Sequence, residues 1–308
     1  MVIRTPPTDR GQLHQSDVRS PLTWPHGHVC FDEGRLWVHP DYVETFQQRG
    51  WTTLEAVMQA EDVTVVRRVG QRDNTRLTLA RASDGKVVRA YMKRHVSRCF
   101  GDWLFGIVSG RGWSPPGIAE AESVAAARRA GVATMTTIAA GCEINERPWQ
   151  AASFFVSEEI DGGVPADDFW RAEFPSDAGG DNEHDPRRDA VIEALARSAR
   201  RLHGAGMFHR DFYWCHFFVR QHPHEPGKFA AHLIDLQRIV RRPLLAARWR
   251  LKDLAQFVYS IPEGALSNDE RRRWFEYYRD IDRWSWSHRL EWAAIRVRAW
   301  FYRVKERL

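Results

Sequence analysis

HRDFYWCHFFV (209–219) and LIDLQR (233–238) decide how this chain is read. The first stretch puts a carboxylate, Asp211, five positions ahead of His216, just before the apolar run FFVR (217–220). A polar turn, QHPHEPGK, and a second apolar run, FAAHLID, then return the chain to Asp235. Two such runs around a Pro/Gly turn predict a hairpin, whose open end brings Asp211, His216 and Asp235 to one edge. Just upstream, Asp185-Pro186 supplies the preferred cap and first-turn residues of a helix. That helix keeps Val191, Leu195, Ala199 and Leu202 on one face as far as Gly204. A lone His-Arg-Asp recurs by chance, usually as a surface salt-bridge cluster. A capped helix, a glycine, His-Arg-Asp, a hairpin and Ile-Asp-Leu in this order are far more specific. Phosphoryl transfer to a hydroxyl needs this set: a carboxylate that orients the attacking group and two metal ligands beside it.

Working outward, residues 63–95 hold three β-rich runs with a turn at Ser83-Asp84-Gly85-Lys86, an antiparallel sheet ending on Lys93. Ser114-Pro115-Pro116 opens a helix that runs through AEAESVAAARR and closes at Gly131. SFFVSEEI (153–160) is a buried strand leading to a Gly-Gly break, and 173–189 is a polar, exposed insertion. The rest is helical and rich in Trp and Arg. The predicted class is therefore α+β, a two-lobed protein-kinase-like fold with an antiparallel β-rich N-lobe and a mostly helical C-lobe. Its divisions are a flexible leader (1–28), the N-lobe (29–156), a hinge (157–163) and the C-lobe (164–308).

Composition narrows the setting. The chain has 308 residues, 43% of them hydrophobic, enough for two lobes with real cores. Lys+Arg exceeds Asp+Glu by 45 to 40, which suits acidic partners without choosing among phosphates, anionic lipids and nucleic acid. No nucleic-acid motif accompanies the charge. Cys30, Cys99, Cys142 and Cys215 form no CxxC pair, so neither a zinc site nor a disulfide framework is expected and a reducing cytosol fits. The N-terminal residues lack the apolar core of a signal peptide, and no run of about 20 apolar residues occurs.

HRDFYWCHFFV followed by LIDLQRIVRRPLLAARWRLKDLAQFVYS resembles the lipopolysaccharide kinases of the Kdo/WaaP family. The likeness extends to FDEGRLWVHPDY (31–42), YMKRH (91–95), GVATM (131–135) and SFFVSEEI, roughly residues 30–280. It implies a kinase-like fold and transfer of phosphate from ATP, with Mg²⁺, to a heptose or Kdo hydroxyl of the lipopolysaccharide inner core. On this resemblance Asp211 is the catalytic carboxylate, Asp235 the main metal ligand and His216 a second metal ligand or a phosphate contact. Lys93 matches the lysine that grips the α- and β-phosphates. Its carboxylate partner lies on the helix 116–130. Glu120 and Glu122 compete for it, and Glu120 is favoured because it shares its stripe with Val124 and Ala127 and better fits the family's spacing to Gly131. No GxGxxG occurs, so the loop 69–76 offers Gly70 and backbone groups to phosphate, with Arg72, Asn74 and Thr75 as further candidates. Glu158, Glu159 and Ile160 would present backbone groups to adenine. Arg210 is expected to pair with a carboxylate, and Asp253 to anchor the catalytic loop.

Between Asp235 and Asp253 stand Arg238, Arg241, Arg242, Arg248, Arg250 and Lys252, with no acid among them. Guanidinium forks suit the phosphates and carboxylates of an inner-core acceptor; a solvated basic face is the plainer reading. Leu290, Ala294, Val297, Phe301, Val304 and Leu308 recur at helical spacing among arginines. That helix either packs on its own domain or lies on the inner face of the cytoplasmic membrane, an anionic surface. Two alternatives stay open. One is a small-molecule phosphotransferase of the aminoglycoside/choline kinase type, which would carry His-Gly-Asp and Asn where this chain has Arg210 and His216. The other is a non-catalytic kinase-like protein, which would have lost Lys93, Asp211 or Asp235.

Overall fold

The structure is a computed structural model and describes residues 27–61, 64–69, 72–97, 100–101, 103–104, 113–144, 147, 149–175, 185–241 and 244–306. Gly70, Arg242 and most of the leader lie outside these residues. The first half comprises β1 (Val29–Phe31), β2 (Leu36–Val38), α1 (Val43–Gln48), α2 (Leu54–Met58), β3 (Thr64–Val69), β4 (Arg72–Ala80), β5 (Val87–Ser97), α3 (Pro116–Arg129), β6 (Thr137–Ile144) and β7 (Ala151–Glu158). Its strands form one antiparallel sheet of seven, in the order β1-β2-β6-β7-β5-β4-β3.

Alternation along the strands gives this sheet two apolar faces. Phe154, Met92, Leu36, Val38 and Ile138 pack against Phe46, Trp51, Leu54 and Val57 from the short helices and the loop joining them. Phe155, Trp37 and Ala140 point the other way, to Ile118, Ala121 and Val124 of α3, in a cluster that continues into the second half of the chain. Lys93 stands opposite Phe155 in the β5–β7 register, so it shares the α3 face. The helix sits unusually close to β7, because a Cβ on Gly117 would fall 2.5 Å from the Phe154 carbonyl oxygen. Only glycine permits that approach.

The second half holds β8 (Val164–Pro165), α4 (Ala166–Glu173), α5 (Pro186–Gly204), β9 (Met207–Phe208), β10 (Phe217–Gln221), β11 (Phe229–Leu233), β12 (Val240–Arg241), α6 (Ala246–Ser260), α7 (Asn268–Arg279) and α8 (Trp286–Glu306). Asp185 caps α5 by accepting from the Arg187 N–H at 2.8 Å, and Val191, Leu195, Ala199 and Leu202 are all buried. The hairpin pairs Phe217 with Leu233 through Gln221 with Phe229.

Three expectations change. The loop read at 69–76 is largely strand, since β4 begins at Arg72. Thr75 is fully buried and donates to the Met92 carbonyl at 3.3 Å, so its hydroxyl serves the sheet and not a phosphate. In α8, the residues that bury are Trp292, Ile295 and Ala299, whereas Leu290, Val297 and Phe301 face solvent.

One ion pair ties the helical half together. Arg188 of α5 donates from Nε to Glu270 Oε1 at 2.7 Å and from Nη2 to Oε2 at 3.0 Å and the Ala265 carbonyl at 2.9 Å. Burial pushes the Glu270 carboxyl up, but bonds from Arg188 and the Ser267 N–H outweigh it and hold the group below its ordinary 4.5. A folded-state value below the unfolded one gives stability that is present above pH 4.5 and lost as pH falls through the folded value. Glu270→Gln should therefore cost about 3 kcal/mol in urea unfolding at neutral pH, by leaving a buried guanidinium uncompensated. The gap to wild type should narrow as pH falls below 4.5.

Candidate active site

Two segments far apart in sequence meet at Lys93. Its Nζ lies 2.5 Å from Glu120 Oε1 on α3 and 3.1 Å from Asp235 Oδ1, just past β11. The Glu120 side chain is fully buried, while Lys93 and Asp235 keep 16% and 28% of their side-chain exposure and so face an accessible space. Glu122 points elsewhere and meets Arg241 of β12 at 3.4 Å. Burial raises the Glu122 carboxyl above its ordinary value, against the pull of Arg241. Asp235 itself adopts a left-handed backbone, φ 58° and ψ 54°, from which the short turn Leu236–Arg238 departs.

The loop carrying Asp211 is clamped by one face of α6. Asp253, fully buried, accepts the His209 N–H at 2.6 Å and the Arg210 N–H at 2.9 Å. Gln256 Oε1 accepts the Phe212 N–H at 3.3 Å, and Ser260 Oγ accepts the Trp214 N–H at 2.7 Å. Positions i, i+3 and i+7 lie on one helical face, so the helix offers a row of acceptors at the pitch of the loop. This grip holds Arg210 at φ 74°, a conformation that a non-glycine residue adopts at a cost of about 1–2 kcal/mol.

Side chains inside the loop are also fixed. His209 is fully buried and donates from Nε2 to the Ile234 carbonyl at 2.9 Å, and burial pushes its pKa down, keeping the ring neutral. His216 places Nδ1 2.7 Å from the Asp211 carbonyl. A carbonyl only accepts, so Nδ1 is the donor here, and in the neutral ring Nε2 keeps its lone pair. Arg210 stands over the Trp249 ring at 5.4 Å, and Lys252 donates to the Arg210 carbonyl at 2.5 Å. The Asp211 carboxylate meets Arg238, whose Nη1 is 3.1 Å from Oδ1 and 2.8 Å from Oδ2.

At the connector, the Glu158 N–H donates to Thr136 O at 2.9 Å and the Glu159 N–H to Arg89 O at 2.8 Å. Their carboxylates are held by Tyr42 at 2.5 Å and by Arg89 respectively. The amides and side chains of both residues are thus engaged within the lobe. Ile160, half-buried, has no hydrogen-bond partner for its N–H among the described residues and is the donor that remains at this strand end.

The basic run after Asp235 divides into separate tasks: Arg238 on Asp211, Arg241 on Glu122, Lys252 under the loop, and Arg248 beside Trp249 at 5.7 Å. The clamp residues Gln256 and Ser260 escaped the sequence reading. Their signal was the Asp253, Gln256, Ser260 spacing among the mostly apolar residues of the helix's second half.

The fold and this arrangement of Lys93, Glu120, Asp211 and Asp235 define the protein-kinase-like class. Comparison with known proteins narrows it. The sequence model of the lipopolysaccharide kinase (Kdo/WaaP) family matches residues 56–278, and the chain belongs to that family. The lipopolysaccharide core heptose(I) kinase WaaP of Pseudomonas aeruginosa is 35% identical over 164 residues, 52% of this chain and 58% of that protein. Its namesake in Escherichia coli K12 is 30% identical over 157 residues, 48% of this chain and 54% of the other. The alignments thus span about half the length of the curated relatives. A solved structure described as WaaP in complex with acyl carrier protein superposes with a TM-score of 0.63 at 25% identity, covering 86% of this chain and 98% of that one.

If the α6 clamp sets the loop, Asp253→Ala should free two buried N–H groups at once and let Arg210 relax. We expect a stability loss of about 2–4 kcal/mol from the unsatisfied donors, read by urea unfolding. Faster hydrogen exchange at His209 and Arg210 should accompany it. Unchanged exchange there would show that the loop holds itself.

Proposed function

We propose that this chain transfers the γ-phosphoryl group of ATP to a heptose or Kdo hydroxyl of the lipopolysaccharide inner core. The observation that carries this reading is the meeting of Lys93 with Glu120 and Asp235 beside a separately clamped Asp211. In this reading Glu120 orients Lys93 toward the α- and β-phosphates, and the Ile160 N–H and Gly70 contact the rest of the nucleotide. Asp211 accepts the proton of the acceptor hydroxyl. The acceptor oxygen then bonds the γ-phosphorus, and the bond to the β,γ-bridging oxygen breaks, its electron pair leaving with ADP.

Asp235 and His216 are the protein ligands we assign to Mg²⁺, which would neutralise the charge of the triphosphate. No group of three or more metal-ligating side chains occurs among the described residues. That fits an ion that keeps most of its water and phosphate ligands and takes one or two from protein. Asp235 suits such an ion as a carboxylate, and the Nε2 lone pair of His216 is available because Nδ1 is tied to Asp211.

We further propose that α8 rests on the anionic inner face of the cytoplasmic membrane, next to a lipid-anchored acceptor. Trp300 and Phe301 are 57% and 59% exposed, beside a groove of about 700 Å³ lined by Arg271, Arg272, Arg296 and Arg303. No helix among the described residues is long and apolar enough to cross a membrane. An apolar stripe among arginines suits the boundary between headgroups and acyl chains.

The transfer is tested with labelled ATP against lipid-linked core sugars, free aminoglycosides and proteins, with wild type and Asp211→Asn. Asp211→Asn should bind Mg·ATP nearly as wild type by calorimetry and lose about 10²–10⁴-fold in turnover on the core sugar alone. Retained turnover would remove Asp211 from the mechanism, and labelling of aminoglycosides instead would replace the acceptor. For the membrane reading, a Trp300→Ser, Phe301→Ser variant should sediment less with phosphatidylglycerol vesicles than wild type. Equal sedimentation would dismiss α8 as the contact.

A further inference from the structure

The carboxylate assigned as proton acceptor does not stand open. One nitrogen, Arg238 Nη1, lies within hydrogen-bond distance of both Asp211 oxygens, at 3.1 and 2.8 Å, and so covers the edge a hydroxyl would approach. The backbone on either side of the pair is held in place. The Asp211 carbonyl accepts from Tyr213 N–H at 3.0 Å and from His216 Nδ1 at 2.7 Å. Arg238 ends the short turn that starts at Asp235, pinned by the fully buried Leu236. The pair is open to solvent on the arginine's side: the Arg238 and Asp211 side chains are 49% and 21% exposed, against 16% and 0% for Lys93 and Glu120. A pair that open contributes little, so a competing anion can displace it. Nε and Nη2 of Arg238 have no partner among the described residues, so the guanidinium fork has donors to spare.

We propose that Arg238 is a latch on Asp211, opened by an anionic group of the acceptor. A phosphate or carboxylate next to the reacting hydroxyl takes the guanidinium bidentately, a better partner than a single shared N–H. The Asp211 carboxylate is released toward the hydroxyl in the same movement. Arg238 is then a positioning and specificity-determining residue. It ties release of the proton acceptor to arrival of a charged sugar, and without one it restrains transfer to water. The inference rests on the kinase reading for the role of Asp211, but the latch can be observed without any turnover.

The test is carboxylate footprinting with a carbodiimide and glycine ethyl ester, read at Asp211 by mass spectrometry. Wild type is compared in sodium sulfate and in sodium chloride at equal ionic strength, so that general screening is matched. Sulfate stands in for the acceptor's anion and should speed labelling of Asp211 about two- to fivefold over chloride, the range that a half-exposed ion pair supports. Arg238→Gln should label fast in both salts, and Arg238→Lys should restore part of the sulfate effect. Equal labelling in both salts, or slower labelling in sulfate, overturns the latch, and this comparison needs no variant to fold. Acceptor-free ATP hydrolysis gives an independent reading. Arg238→Gln should raise it several-fold, and an unchanged or lower rate counts against the proposal. A sulfate effect in a protein that transfers no phosphate would refute the kinase reading and leave the latch standing. Phosphate transfer without a sulfate effect would refute the latch alone.

Discussion

The two bonds from the Asp253 carboxylate to the His209 and Arg210 amides govern the geometry of the candidate site. Arg210 sits in a left-handed conformation that its side chain disfavours, and a buried charge accepting two amide hydrogens is what outweighs that cost. From there the loop is stitched onward by Gln256 and Ser260, so Asp211 emerges at a position set by the helix and not by the loop's own preferences. His203 closes the arrangement from the other side, with Nε2 at 3.3 Å from Asp253 and Nδ1 at 2.9 Å from the Tyr278 hydroxyl.

A second constraint is the contact between α3 and the sheet. Gly117 brings the helix onto the Phe154 backbone, and the buried Glu120 is thereby held against Lys93. The same helix meets the second half of the chain through Glu122 and Arg241, and the stretch after it adds the bond from Thr134 Oγ1 to the Leu233 carbonyl at 2.5 Å. Asp235 follows two residues after Leu233. The position of α3 and that of Asp235 are thus mechanically linked, and Lys93 lies between them, in contact with both carboxylates.

Charge in this molecule is sorted by burial. The Lys93–Glu120 and Arg188–Glu270 pairs each contain a carboxylate at 1% exposure or less and work as fixed structure. Arg238, Arg241, Arg248 and Arg250 are at or near the surface, where pairs are weak.

The sequence by itself determined the elements whose signals are local: the hairpin 217–233 from its two apolar runs and turn, α5 from its cap and apolar face, and α3 from Pro116 and Gly131. It also determined the candidates Asp211, His216 and Asp235, because their order and spacing around the hairpin carry the pattern, and Lys93 through the likeness of YMKRH to the family. Local signals did not reveal β1, β2, β6 and the short helices α1 and α2: β2 is held by pairing with β6 far along the chain, and α1 and α2 by packing on the sheet. The sequence favoured Glu120 of α3 through its stripe and its spacing to Gly131, but both glutamates are compatible with a helix. The tertiary structure decided between them, setting Glu120 on Lys93 and Glu122 on Arg241. It likewise turned Leu290, Val297 and Phe301 of α8 outward and Trp292, Ile295 and Ala299 inward. A helix with apolar residues on more than one side does not specify which face a neighbouring helix will cover, and the placement of α6 and α7 supplied that answer.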